Sequence, residues 1–424
     1  MGNLDYTQVL NKIENTRRFG NEPGVVVTAQ VIKVLREKGK QKRIIPYIHV
    51  AGTNGKGSVC AFFSSILKKE HMRVGTFVSP HLVDFEERIT VDGRMIPKAD
   101  VTRLGNYLLD IDFGIGLTMF DYCLAMALLY FEEQQCDYMV IETGLGGRLD
   151  STNAIGTPQC AVITKIGYDH MAILGSDIAD IAAEKAGIIK ENGTVVVEQQ
   201  DKRAMQVIEQ EAKKKHARII TVEQSDIARC SGYALRLCGT FQWENAAAAE
   251  LAARYVLGKR YSGPEYEMQY DKTEPKSEET DLNDRIKRAL EEAVWPGRME
   301  IVSKEPFLLV DGAHNSNGVD ALKESLMQMY PGEKFCFFMG VMADKDYDVM
   351  IREILPLAEE FYTVTPDSDR ALQASHLADF IRKEGVEATE LSGVDEIRKH
   401  LKRDTKNVAF GSLYFIGELK QHRI

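Results

Sequence analysis

The run Gly52-Thr53-Asn54-Gly55-Lys56-Gly57-Ser58 joins one apolar stretch, Ile44 to Val50, to another that begins Val59, Phe62, Phe63, Ile66. A strand, a glycine-rich turn and a helix in that order cradle a phosphate. Glycines let backbone N–H groups approach the anion, and the helix start turns its positive end toward it. Lys56 adds a charge, and the Ser58 hydroxyl is placed to reach a magnesium ion. The spacing departs from the usual phosphate loop, where Ser or Thr directly follows the lysine. Here Gly57 intervenes, and Gly52 stands closer to Gly55 than the common form allows. ATP is the expected ligand; the bland alternative is a glycine-rich turn that binds nothing.

Ligands of open parallel sheets bind beyond the carboxyl ends of the strands, so the residues just past each apolar run are informative. Arg73–Val78 leads to Ser79-Pro80-His81. Asp137–Ile141 leads to Glu142 and then Thr143-Gly144-Leu145-Gly146-Gly147-Arg148. Gln159–Thr164 leads to Lys165, Gly167, Asp169 and His170. Four strand ends with anion-binding or metal-competent groups argue for one shared site. Glu142 suits a magnesium carboxylate; the alternative is a helix cap or a surface charge. His170, beside Asp169, reads equally as a ligand or as a structural histidine. Lys185 falls within a helical pattern over Ile178 to Ile189 and on spacing alone reads as a solvated helix charge.

These residues need a scaffold. From residue 44 onward short apolar runs, a fifth being Thr194–Glu198, alternate with helical patterns such as Phe120 to Glu133. That alternation predicts a parallel sheet wrapped by helices. The stretch Tyr261 to Asp284 is rich in Glu, Asp, Lys, Ser and Pro and reads as an exposed, mobile insertion. After Trp295 a second series begins, with strands expected at Phe307–Val310, Lys334–Met339, Phe361–Val364 and Asn407–Phe410. The 424 residues exceed what one core organises, so two domains are expected, 1–294 and 295–424. A net charge of −10 argues against a general nucleic-acid or membrane-surface binder. The seven cysteines show no metal-binding spacing, and Cys60 and Cys123 read as core packing. No signal peptide or membrane-spanning run is evident, which points to the cytoplasm.

Taken together, HVAGTNGKGS at 49–58, the SPHL and ERI elements within 79–93, ETGLGGRLDSTN at 142–153 and the IGYDH and EKAGIIK elements within 166–190 resemble the folylpolyglutamate synthase and dihydrofolate synthase family of the Mur ligase superfamily. FQWENA at 241–246, WPGRME at 295–300 and DGAHN at 311–315 extend the resemblance along nearly the whole chain. It implies an α/β fold: an N-terminal phosphate-loop ATPase domain of Mur-ligase type with a mostly parallel sheet, and a smaller Rossmann-like C-terminal domain. Gly52, Thr53, Asn54, Gly55, Lys56, Gly57 and Ser58 would hold the ATP phosphates, with Gln242 and Asn245 at adenine and Arg298 at phosphate. Ser58, Ser79 and Glu142 would ligate one Mg²⁺; Glu142, His170 and a carbamylated Lys185 would hold a second. Pro80, His81, Arg88, Arg148 and Asp150 would meet the folate, with His81 to Ile96 as a mobile pterin loop. Asp311 and His314 would orient the incoming glutamate, and Asp311 would also serve the nucleotide. Carbamylation needs a neutral amine, which from a reference pKa near 10.4 costs about 4.6 kcal/mol at pH 7. Burial and neighbouring cations must lower that cost.

The implied reaction is ATP-dependent amide synthesis: a substrate carboxylate attacks the γ-phosphate, and the amine of L-glutamate displaces phosphate from the acyl phosphate. Lys56, Lys185, Asp311 and His314 would be its catalytic residues, with His314 as base. Folate or dihydropteroate would be the acceptor and a monomer the working form. Three rivals stay open: a cell-wall amino-acid ligase, a phosphate-loop ATPase that ligates nothing, and a silent nucleotide-binding module.

Overall fold

The computed structural model describes residues 4–16, 20–262 and 276–422. The chain divides into two compact units: Met1–Ala234 with Glu244–Ala293, and Leu235–Trp243 with Val294–Ile424. The segment 235–243, which the sequence places in the first domain, therefore belongs to the second. The helix Phe241–Ser262 begins in one unit and continues in the other.

The first unit is built on eight strands: β1 (Tyr47–Ala51), β2 (Val74–Phe77), β3 (Ile89–Val91), β4 (Arg94–Met95), β5 (Tyr138–Glu142), β6 (Cys160–Ile163), β7 (Thr194–Val197) and β8 (Arg218–Thr221). They lie in the order β4-β3-β2-β5-β1-β6-β7-β8. All neighbours are parallel except the β2–β3–β4 meander. Every residue of β1, β2, β5, β6 and β7 is buried, as expected for central strands covered on both faces. The register decides the function. Val50 stands opposite Glu142, Ala51 opposite Ile163, and Phe77 opposite Ile141. Four strands thus end level, and the loops carrying the candidate residues leave from one edge.

One face is covered by helices Gly24–Glu37 and Met119–Glu133, with Val31, Leu35, Leu124 and Phe131 in its core. Thr118 caps the second of these reciprocally with Asp121, whose other oxygen accepts from Ser151 in the segment after β5. A second cluster contains Ile163, Ile181, Ile188, Val195 and Ile208.

The second unit carries β9 (Glu300–Lys304), β10 (Phe307–Val310), β11 (Phe335–Met339), β12 (Ala358–Thr363), β13 (Ala388–Glu390) and β14 (Lys406–Phe410), ordered β13-β12-β11-β14-β10-β9. Only β9 runs antiparallel to its neighbour. Phe337 stacks on Phe361 at 5.3 Å and meets Phe410 edge-on at 5.6 Å in a core of aromatic rings.

Two expectations need correction. The acidic stretch Tyr261 to Asp284 is not one excursion: Tyr261 and Ser262 end a helix, and 276–284 open the helix Lys276–Glu292. Residues 263–275 lie outside the described residues. Composition misleads here because the helix takes its anchor from beyond Asp284. Ile286, Ala289 and Leu290 are buried, the Ala289 carbonyl accepts from Ser65 Oγ at 2.6 Å, and Arg285 pairs with Glu70 at 2.6 Å. Second, the segment expected as a loop from His81 to Ile96 contains a 3-10 turn, Phe85–Arg88, and the hairpin β3–β4. Strands β8, β9 and β13 are also additions to the expected set; all are short and partly exposed, so their apolar patterns are weak.

Gly52 and Gly55 both adopt positive φ, +157° and +88°. A Cβ on Gly52 would fall 1.8 Å from Thr164 Oγ1, and one on Gly55 would fall 2.3 Å from Asn245 Oδ1. Both glycines are demanded by protein neighbours before any ligand is considered. Gly52→Ala is expected to lower unfolding stability by about 2–4 kcal/mol. In a Thr164→Ala background the penalty should shrink by at least about 1 kcal/mol, because the clashing oxygen is gone. Denaturant unfolding of the four variants checks this; equal penalties in both backgrounds would refute the close-approach explanation.

Candidate functional site: a phosphate loop among converging strand ends

The loop after β1 is shaped by its own chain. Thr53 and Asn54 donate their N–H groups to the Lys165 carbonyl at 2.9 and 3.2 Å. Thr164 Oγ1 donates to the Asn54 carbonyl at 2.6 Å, and Thr53 Oγ1 bridges to Gly167. The helix Lys56–Lys69 then starts at Gly55 with no side chain capping it. Its first N–H groups and their positive dipole end therefore lie at the level edge of the sheet. Asn245 lies buried against this loop at Gly55.

Around the loop, Lys56 Nζ lies 3.3 Å from the Thr53 carbonyl and 3.9 Å from Glu142 Oε1. Glu142 Oε2 accepts the Ser79 N–H at 3.2 Å. Ser58 and Glu142 are both buried. Lys56, Ser79 and Glu142 are thus drawn together from three separate strand ends. His170 is less closely held. Its side chain is 38% exposed, its φ is +52°, and its Nε2 lies 3.9 Å from Asp169 Oδ1.

Lys185 overturns the reading from spacing. It is buried rather than solvated, and its Nζ donates to the Gly52 carbonyl at 2.7 Å. Burial and then the Lys56 charge push its pKa down to about 7, while Asp169 and Asp150 pull the other way. Near neutral pH much of this amine is uncharged, so most of the protonation cost of carbamylation disappears. A carbamate retains the N–H for the Gly52 bond and adds two oxygens beyond it. The residues fit that group.

Among the described residues no three His, Cys, Asp or Glu side chains cluster as an all-protein metal cage. One buried carboxylate with the hydroxyls of Ser58 and Ser79 suits Mg²⁺, which keeps waters and shares substrate phosphates. That donor set also fits.

The expected folate contacts are partly occupied by the protein itself. Arg88 Nε donates to His81 Nδ1 at 2.9 Å; burial and this arginine push the His81 pKa down to about 4, so the ring is a neutral acceptor. Arg148 pairs with Glu184 at 2.6 Å. Asp150 is buried, accepts the Gly144 and Leu145 N–H groups, and holds Thr152. It shapes the loop after β5. Pro80 follows a cis peptide bond with Ser79.

In the second unit, Asp311 directly follows β10, and both its oxygens are engaged, by Met299 N and Ala313 N at 2.8 Å each. It is only 4% exposed and holds the turn after Arg298. The Arg298 guanidinium lies over Gly312, where a Cβ would come within 2.0 Å of it. His314 Nδ1 donates to the Gly312 carbonyl at 2.7 Å, which leaves Nε2 as the basic nitrogen. Gln242 is fully buried in this unit.

Sequence reasoning missed His49 and Thr152. His49 Nε2 lies 2.7 Å from Thr152 Oγ1, which in turn bonds Asp150, so a chain of side chains ties β1 to the loop after β5. A histidine inside an otherwise apolar strand was the signal for it.

A level strand edge bearing a phosphate loop, with a second α/β unit after it in the chain, has the architecture of Mur-type ligases. Residues 50–253 match the Mur ligase middle domain and residues 297–410 match the Mur ligase glutamate ligase domain. The chain is 33% identical over 453 residues to dihydrofolate synthase/folylpolyglutamate synthase of Bacillus subtilis, covering 98% of each. Mycobacterium tuberculosis folylpolyglutamate synthase complexed with ADP superposes with a TM-score of 0.82 at 25% identity, covering 99% of this chain and 98% of that one. E. coli FolC in complex with DHPP and ADP gives 0.80 at 26% identity, covering 99% and 97%. The chain belongs to the folylpolyglutamate synthase/dihydrofolate synthase family.

If Lys185 carries a carbamate, ¹³C-labelled bicarbonate should give a protein-bound carbamate resonance in the wild type and none in Lys185→Ala. Turnover of the variant should fall by about a hundredfold (about 2.7 kcal/mol). A variant with wild-type turnover would remove the assignment.

Proposed function

We propose that this enzyme, an ATP-dependent acid–amino-acid ligase by family, adds L-glutamate to both dihydropteroate and reduced folates through an acyl phosphate. The observation that carries the reading is the meeting of Lys56, Ser79 and Glu142 beside an uncapped helix start, which is a site for a triphosphate. The ADP held by the mycobacterial and E. coli proteins, and the double name of the Bacillus relative, support it.

A carboxylate resists attack by an amine because its leaving group would be oxide. Moving the γ-phosphoryl group onto the acid replaces that leaving group with phosphate. Lys56 and the N–H groups at the helix start would hold the phosphates and take up the charge that spreads during transfer. Mg²⁺, when bound by Ser58, Ser79 and Glu142, with His170 and a carbamylated Lys185 at a second position, would supply further charge neutralisation. Thr53 and Asn54 would shape the loop, while Gly55, Gly57 and Asn245 would keep it close to the nucleotide. Gln242 would assist at the base and Arg298 at a phosphate. His81, set as a neutral acceptor by Arg88, would meet the pterin together with Pro80, Arg148 and the loop built on Asp150. His314 Nε2 would take the proton from the glutamate ammonium before attack, and Asp311 would fix the turn that carries Arg298. We assign the cytoplasm as its compartment and a monomer as its working form.

The test is phosphate release with ATP, Mg²⁺ and glutamate, comparing dihydropteroate with tetrahydrofolate. Both acceptors should support release, and His314→Ala should lower it at least tenfold with either. Activity with neither acceptor would remove the folate assignment while sparing the ligase class. Full turnover in the His314 variant would remove that histidine as the base.

A further inference from the structure

The Lys165 peptide is the junction on which the phosphate loop rests. Its carbonyl accepts both Thr53 N and Asn54 N, so these two amides are turned inward. The next N–H groups along the chain, at the helix start, are the ones presented outward. Whatever fixes this peptide fixes the loop. One peptide unit earlier, the Lys165 N–H donates to Glu198 Oε2 at 2.7 Å. Glu198 comes directly after β7 and is 1% exposed; its second oxygen, Oε1, is buried without a hydrogen-bond partner. Glu244, on the helix that also carries Asn245, accepts the Gln199 N–H at 2.6 Å. The Lys165 ammonium donates to the Gln199 carbonyl at 2.8 Å and lies 4.0 Å from Glu244 Oε2. Gln200 completes the clasp, bonding Thr164 O and Ile166 N at 3.0 and 2.9 Å. A buried carboxyl group with one idle oxygen is expensive unless it is held for a purpose.

We infer that Glu198 is a positioning residue for nucleotide binding: its buried carboxyl group holds the Lys165 N–H and, through that residue, the carbonyl that aims the phosphate loop. The inference rests on the nucleotide-site reading above and extends it to a residue that touches neither nucleotide nor metal.

The charges that face Glu198 are the Lys165 ammonium and the Glu244 carboxylate. Burial, and then the negative charge of Glu244, raise the Glu198 pKa well above the ordinary carboxyl range, against the Lys165 N–H and ammonium. Folding therefore favours the protonated form of this side chain, and its contribution to stability is present at low pH. That contribution is lost as pH rises through its folded value, when a second anion forms beside Glu244. A glutamine in its place keeps an acceptor for the Lys165 N–H and never ionises.

Calorimetric titration of the full chain with ADP and Mg²⁺ at pH 7 and pH 9 tests this. Glu198→Ala should bind ADP at least tenfold more weakly than the wild type at pH 7, and Glu198→Gln within threefold of it. As pH is raised from 7 to 9, the wild type should weaken more than the glutamine variant does. An alanine variant within threefold of wild type, or a glutamine variant with the wild-type pH response, overturns the assignment. Should the alanine variant fail to fold, the pH comparison between wild type and Glu198→Gln decides alone. Failure of the wild type to bind ADP at either pH would instead sink the nucleotide-site reading itself.

Discussion

The pairing of β1 with β5 on one side and β6 on the other is the constraint on which the rest of the molecule depends. Because Val50 faces Glu142 and Ala51 faces Ile163, the loops after three strands emerge side by side. Parallel pairing through fully buried strands leaves little freedom in this register, since a one-residue slip would turn every side chain to the opposite face. Residues nearly a hundred positions apart are thereby delivered to one edge. The phosphate loop then needs no unusual chemistry of its own, only neighbours that bend it. Thr164, Lys165 and Asn245 supply that bend.

Charge is arranged with the same economy. Two lysines, the partly exposed Lys56 and the buried Lys185, stand close enough for the first to depress the second. Burial disfavours the Lys185 charge, and two full like charges there would repel each other, which is why the Lys185 amine loses its proton so readily. They become favourable when phosphate oxygens arrive, or when one amine is neutral or carbamylated.

What could be read from the chain was whatever is local. The strand–loop–helix order around Lys56, the strand ends at Glu142 and Lys165, and the second α/β series after Trp295 all depend on patterns within a few residues. Lys185 could not be read this way. Its helix has an ordinary amphipathic pattern, and only tertiary packing places its amine beneath Gly52. Asp311 shows the same limit: its position after a strand is legible, but the two backbone N–H groups it accepts are not. Glu198 looked like the last residue of a strand, and nothing in its neighbourhood of sequence hints at Glu244 or Lys165. The short edge strands β4, β8 and β13 escaped because half-exposed strands carry little hydrophobic signal.

The claim beneath all of this is that the converging loops serve to move a phosphoryl group onto an acid. An isotope experiment reports on that transfer without reference to any single side chain. With an acceptor labelled by ¹⁸O in its free carboxyl group, the account predicts one labelled oxygen in the inorganic phosphate for each amide bond formed. Phosphate released without label, at the same rate as amide, would contradict it, because the bond between acid and phosphorus would never have been made.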